Sequence, residues 1–231
     1  MIDRAPRLLV IAPHPDDETL GAGGTIARVA AGGGEVTVLT VAVHMPPIYP
    51  PEVHAQSLDA ARHAHAILNV KNSIFREKPA LQLREVPVPE LNASIVDALE
   101  DAEPDVVFLP FLDRHIDHRL VFEAAMVATR PVGPGRVIKV LAAYETLSQT
   151  HWNAPHVEAN FAPNWYVDVS DHLETKIEAM HCYASQVQDF PSPRAPEALR
   201  ALALFRGSQT GIPAAEAFHV IRMTSPPETF V

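Results

Sequence analysis

Several stretches of the chain are apolar or β-branched almost without a break: residues 8–12 (LLVIA), 36–43 (VTVLTVAV), 106–109 (VVFL) and 137–144 (VIKVLAAY). A strand with one wet face alternates polar and apolar side chains, so runs like these require cover on both sides. The segments between them supply it. Residues 20–31 predict a helix of small side chains stopped by Gly32-Gly33-Gly34, and residues 53–68, 91–99 and 120–128 predict three more. Such alternation builds βαβ units and hence an α/β fold: a mostly parallel sheet with helices on both faces. The last third differs. Residues 165–169 and 217–221 read as short strands, residues 173–184 and 197–205 as helices, and QDFPSPRAP as a proline-rich loop between those helices. No linker or repeat interrupts the chain, so residues 1–231 read as one domain with an elaborated C-terminal part.

Two of the apolar runs end in the same way. LLVIA leads into PHPDDE, with His14, Asp16 and Asp17; VVFL leads into PFLDRHIDH, with Asp113, Arg114, His115, Asp117 and His118. Adjacent carboxylates repel, and each costs free energy when it is desolvated without a partner. A solvated turn with an aspartate capping the next helix would explain the first stretch taken alone. Two strands of one parallel sheet, however, deliver their following loops to the same edge, where such sheets bind ligands. The two clusters can therefore meet although about a hundred residues separate them. His14 and Asp17 are three residues apart, as are His115 and His118, a spacing that lets both side chains of a pair face one point at the start of a helix. Imidazole and carboxylate without thiol is the donor set of a catalytic zinc-type site, which uses three protein ligands and keeps a position open. Four candidates are present in these pairs, so one histidine, together with the carboxylate of Asp16, is left to move protons.

Composition narrows the field. The formal net charge is −10, which argues against nucleic acid or an anionic membrane as the main partner. The apolar run near the N-terminus is five residues long and leads directly into charge, unlike a secretory h-region, and no stretch approaches a membrane span. With Cys182 as the one cysteine, no internal disulfide forms. A soluble cytoplasmic protein is the expectation; the sequence leaves a homo-oligomer open. Gly21, Gly23 and Gly24 hint at a dinucleotide fingerprint, but the third glycine position is Ile26 and no acid ends the second strand. Packing of the helix against the sheet is the better account of these glycines.

APHPDDE at residues 12–18 resembles the first motif of the PIG-L/LmbE family of metal-dependent N-deacetylases, and RHIDH at 114–118 resembles the second. KIEAMHCYASQ at 176–186 and RGSQTGIPAAEAF at 206–218 are similar to later segments of the family. The resemblance implies a Rossmann-like fold and removal of an acetyl group from an N-acetylglucosamine-type conjugate, a small N-acetylated amino-sugar substrate. It implies Zn2+ or another divalent transition metal held by His14, Asp17 and His118. Asp16 would be the general base, His115 would stabilise the tetrahedral intermediate and protonate the leaving amine, and Asp117 would hydrogen-bond His115 and fix its tautomer. Arg114 would contact substrate oxygens.

The sequence also departs from the family pattern. Many relatives carry Arg-x-x-Glu in the helix after the second strand, where this chain has VHAQSLDAARHAHAIL with Arg62 in another place, and the proline loop HMPPIYPPEVH is particular to it. Both regions fall on the substrate side. Selectivity is therefore expected from loops, at residues 44–53 and at residues 147–162, the latter with His151 and Trp152. The other readings are a metal-dependent hydrolase of a different N-acyl small molecule and a metal- and sugar-binding protein without turnover.

Overall fold

The computed structural model describes residues 5–225. Seven strands form one sheet: β1 (Arg7–Ala12), β2 (Glu35–Val43), β3 (Asn72–Pro79), β4 (Val106–Pro110), β5 (Val140–Tyr144), β6 (Trp165–Asp168) and β7 (Ala215–Met223), in the order β3-β2-β1-β4-β5-β7-β6. β3, β2, β1, β4 and β5 pair in parallel; β7 runs antiparallel to both β5 and β6. Six α-helices connect them: α1 (Asp17–Ala31), α2 (Pro51–Ile67), α3 (Val88–Ala102), α4 (Ile116–Ala128), α5 (Leu173–His181) and α6 (Pro196–Ser208).

The uninterrupted apolar runs have the physical cause that the sequence implies. Leu8, Val10, Val36, Val38 and Phe108 face a core made with α1, α2, α5 and α6, while Leu9, Ile11, Leu39, Val41, Val107 and Leu109 face a second core made with α3 and α4. Alternate side chains of each central strand thus enter opposite cores, which leaves little room for polar residues. The strand order runs outward from β1 in one direction through β2 and β3 and in the other through β4 and β5. Between β1 and β4 the direction of winding reverses, which opens a crevice at their carboxyl ends. His14 and Asp113 follow those two strand ends.

Several details differ from the sequence expectation, beyond shifts of one to three residues at the ends of α2, α3, α6 and β7. β3 (NSIFREKP) is a polar edge strand, so it lacks the apolar run that marks the central ones. Val137 closes a short 3-10 turn, and β5 begins at Val140. α1 and α4 start earlier than their apolar pattern, because their first turns carry the polar residues Asp17-Glu18 and Asp117-His118, of which Asp17, Asp117 and His118 meet His14 or one another across the crevice while Glu18 is buried against Tyr183. α5 ends at His181, short of residue 184. No helix among the described residues is long and apolar enough to cross a membrane.

The glycines of α1 serve packing. A Cβ at Gly21 would lie 2.1 Å from the ring of Tyr144, which is fully buried and donates its hydroxyl to the Ile11 carbonyl at 2.9 Å. Alanine gains about 1 kcal/mol over glycine from helix propensity, but overpacking a rigid core site costs about 1–3 kcal/mol and more where the obstacle is an anchored ring. Steric conflict prevails here. Gly21→Ala is expected to lower the melting temperature by several degrees, at about 2–4 °C per kcal/mol for a chain of this size. Thermal denaturation of the two proteins measures this, and an equal or higher melting temperature would contradict the packing account.

Candidate active site

The crevice between β1 and β4 is bounded by the N-termini of α1 and α4. His14 lies in the turn that leaves β1, Asp16 caps α1, and Asp17 opens it; His115 caps α4, whose first turn carries Asp117 and His118. One carboxylate oxygen joins the two sides. Asp17 Oδ2 is 3.2 Å from His14 Nδ1 and 3.2 Å from His118 Nε2. The remaining nitrogen of each histidine is held by a further carboxylate: His14 Nε2 by Asp117 Oδ2 at 2.9 Å, and His118 Nδ1 by Asp113 Oδ2 at 2.9 Å. Asp113 and Asp117 are fully buried. Backbone amides secure them in turn, since Asp113 Oδ1 accepts from His115 N at 2.8 Å and Asp117 Oδ2 accepts from Leu81 N at 2.7 Å.

Such an arrangement suits a metal centre, in which a carboxylate behind each imidazole fixes its tautomer and aims its other nitrogen. His14, Asp17 and His118 supply imidazole and carboxylate donors that fit a divalent ion of the zinc type. His115 stands next to them: one ring nitrogen each of His14, His115 and His118 lie within 4.8 Å of one another.

The charges are strongly coupled. Burial alone would push His118 down, but the Asp17 carboxylate and the bonded Asp113 raise it to about 10. His14 is raised in the same way, against burial, by its bonds to Asp117 and Asp17. Burial would raise Asp17, yet His118 and then His14 hold it well below the ordinary carboxylate range. Asp16 goes the other way. Burial pushes it up to about 7, with Arg194 opposing and the Asp17 and Glu18 carboxylates adding to the rise. His115 is pushed down to about 4 by burial and by the neighbouring His14 and His118.

Asp16 is held in an unusual backbone conformation, with φ 112°, which a non-glycine residue adopts at a cost of about 1–3 kcal/mol. Glu18, fully buried, accepts the Asp16 N–H at 3.2 Å and the Tyr183 hydroxyl at 2.6 Å, and so ties this turn to the segment after α5. On the cavity side Arg194 Nη1 donates to Asp16 Oδ2 at 2.9 Å and also to Gln186 Oε1. The cavity itself holds about 300 Å³. His14, Asp16, His115 and His118 lie at its base, and Tyr49, Trp152, Gln186 and Arg194 form part of its wall.

A family model described as PIG-L: GlcNAc-PI de-N-acetylase matches residues 9–129, just over half of the chain. The chain belongs to the PIG-L family. It is 30% identical to 1D-myo-inositol 2-acetamido-2-deoxy-alpha-D-glucopyranoside deacetylase 1 of Saccharopolyspora erythraea over 79% of this chain and 78% of that protein. It is 26% identical to the diacetylchitobiose deacetylase of Thermococcus kodakarensis over 93% of this chain and 83% of that protein. Among solved structures, the conserved protein TT1542 from Thermus thermophilus superposes with a TM-score of 0.76 at 28% identity, covering 96% of this chain and 98% of that one.

The PIG-L motifs bring His14, Asp16, Asp17, His115, Asp117 and His118 into one cluster; two details differ from expectation. The Asp117 carboxylate bonds His14 rather than His115. As N-cap, His115 accepts the backbone N–H of Asp117 at its Nδ1, 3.2 Å away, so it is this amide that sets the tautomer of the neutral ring and leaves the hydrogen on Nε2. Arg114 is exposed and lies outside the cavity wall, donating to Gln149 Oε1 at 3.1 Å. The guanidinium in the cavity is that of Arg194, from the proline-rich loop. Of the loop residues, His44, Tyr49, Gln149 and Trp152 line the cavity, whereas His151 turns away to Glu145.

Glu145 anchors the loop that carries Gln149 and Trp152. It is buried, accepts two bonds from Arg206 at 2.8 and 2.6 Å, and accepts His151 Nε2 at 2.9 Å. Burial would raise its pKa, but His151 and Arg206 lower it. A depressed carboxylate adds stability above its unfolded pKa, and that contribution fades as pH falls through the folded value. Arg206→Met leaves a buried carboxylate short of its main partner, and the expected loss at pH 7 is roughly 3–5 kcal/mol. Because burial makes the variant's carboxyl take up a proton above the ordinary glutamate range, and a protonated carboxyl needs no cation, the deficit should shrink as the pH falls from neutrality toward that range. Urea unfolding of both proteins from neutral pH down to about pH 4, the ordinary glutamate range, checks the size and the direction.

Proposed function

We propose that the protein is a zinc-dependent amidohydrolase that removes the acetyl group from an N-acetylglucosamine-type amino-sugar conjugate. The observation that carries this reading is the convergence of His14 and His118, each backed by a carboxylate and both joined to the buried Asp17, at the floor of a cavity that also holds Asp16. The deacetylase activity named for two relatives supports it.

His14 Nδ1, Asp17 and His118 Nε2 would hold the ion. Bound there, a divalent ion supplies Lewis acidity, polarising an acyl oxygen and making water more acidic. The chain's own residues do the rest. Asp16 is the general base: Arg194 occupies its Oδ2, which leaves Oδ1 to take a proton from the attacking water. His115, hydrogen-bonded at Nδ1 by the Asp117 amide, presents Nε2–H to the oxyanion that develops on the acyl carbon. Asp16, once protonated, is then the group able to give that proton to the departing amine, while the neutral His115 keeps its Nε2–H on the oxyanion. The N-termini of α1 and α4 add their positive ends beside the carboxylates.

The cavity wall suits a hydroxylated substrate. Ser148, Gln149, Gln186, Gln188 and Ser192 offer amide and hydroxyl groups to sugar hydroxyls, and Trp152 offers an apolar face to a ring.

Acetate release over a panel including N,N'-diacetylchitobiose and N-acetylglucosaminyl-inositol, with zinc measured on the same sample, tests the reading. One zinc per chain and turnover of at least one panel member are expected; zinc without turnover of any member would favour a binding protein or a different N-acyl substrate. The two aspartates should then separate. Asp16→Asn is expected to keep the zinc and lose at least ~100-fold in kcat, the contribution of a positioned base. Asp17→Asn is expected to lose zinc. Elemental analysis and steady-state kinetics on both variants decide the assignment, and the opposite pattern would exchange the two roles.

A further inference from the structure

Two of the later motif-like segments contribute a charged residue each that lies outside the cavity. Lys176 on α5 and Glu216 on β7 are both buried, and their side chains meet at 2.6 Å. Both also bond the backbone of α1. Lys176 Nζ donates to the Leu20 carbonyl at 2.8 Å, and Glu216 accepts the N–H of Gly24 at 2.9 Å and that of Thr25 at 2.7 Å. In a regular helix the Leu20 carbonyl serves the Gly24 amide alone. Here one ion pair also bonds both groups at that step and grips the helix by its main chain. Gly23 makes the approach of Lys176 possible, since a Cβ there would lie 3.1 Å from its Cγ; a Cβ at Gly24 would instead lie 2.8 Å from Val169.

We propose that the Lys176–Glu216 pair is a positioning device for the first turn of α1, and through it for the Asp17 carboxylate; the inference rests on the metal-site reading above. Stability alone does not account for the pair, since well-packed apolar residues of similar volume often replace a buried ion pair without loss. What apolar packing cannot do is fix the rotation of a helix by direct bonds to its backbone. The grip falls one turn from the site, because Leu20 N donates to the Asp16 carbonyl at 2.8 Å. Asp17 belongs to the body of α1, whereas His14 precedes that helix and His118 sits on α4. A small rotation or slide of α1 would therefore move Asp17 relative to both histidines, each now 3.2 Å from its Oδ2. Lys176 and Glu216 touch neither the cavity nor any of the three proposed ligand side chains, so they act through Asp17 and are not catalytic residues.

The test is zinc affinity without substrate, by competition with a chromophoric chelator, on wild type and on Lys176→Met/Glu216→Leu. The double variant removes both charges together, so that neither is left buried without its partner. A folded double variant that binds zinc at least ~10-fold more weakly is expected, the range typical of lost outer support at a metal site. Leu99→Ala, a cavity variant in the opposite core, provides a destabilised control that should keep wild-type affinity. A folded double variant with wild-type affinity, or an equal loss in the Leu99→Ala control, overturns the inference while the metal reading stands. Wild-type protein that takes up no zinc overturns the metal reading and the inference with it. If the double variant does not fold, Glu216→Gln carries the same comparison, and unchanged affinity there overturns the inference.

Discussion

A single carboxylate oxygen, Asp17 Oδ2, closes the gap between the two halves of the sheet, standing 3.2 Å from a histidine on each side. Much of the surrounding structure makes that arrangement tolerable. Asp16, Asp17, Asp113 and Asp117 are all buried around the same crevice, and so many carboxylates in one low-dielectric space could not remain ionised without compensation. The compensation comes from His14 and His118, from Arg194, from backbone amides at His115 and Leu81, and from two helix N-termini. The reversal of winding between β1 and β4 is what brings two helix N-termini to one crevice; a sheet that wound in one direction only would present them side by side along a face instead.

The chemistry of this site is legible in the sequence because it is written locally. Each ligand cluster directly follows an apolar run, and a run buried on both faces identifies a central strand, whose carboxyl end is where a ligand can sit. The meeting of the two clusters follows from that. What surrounds them is less legible, because it depends on contacts distant in sequence. Arg194 reaches Asp16 across 178 residues from a loop whose sequence announces nothing but prolines. β3 carries no signal of its own, because an edge strand has no need of an apolar run. Asp117 shows a subtler limit. The family resemblance implies a carboxylate–imidazole pair with His115, but at a helix N-terminus the residue two places beyond the cap offers its amide to the cap, and its side chain is free to point elsewhere. The glycines of α1 show the converse. The failed fingerprint argues for packing, but only the fold reveals that the packing partners are the Tyr144 ring, the Lys176 side chain and Val169.

The extent of the family match separates chemistry from recognition. The matched span, residues 9–129, includes every residue from His14 to His118 that forms the floor of the cavity. Much of the wall lies beyond it: Ser148, Gln149 and Trp152 come from the connection after β5, and Gln186, Gln188 and Arg194 from the connection between α5 and α6. Reacting atoms need fixed positions, and strand ends and helix first turns provide them, because their backbone is already held by the sheet and by the helix. Recognition tolerates replacement, since a loop can exchange one amide or hydroxyl for another without disturbing the core. The two deacetylases named as relatives carry different saccharides in their names, as a constant floor with a variable wall would allow. Arg194 spans the division. It arrives on a wall loop but bonds the proposed base on the floor, so a change in that loop reaches the chemistry as well as the fit. Any exchange of wall loops that alters the selectivity of this chain must therefore keep a donor at Asp16 Oδ2, and this one contact ties the evolution of the wall to the requirements of the floor.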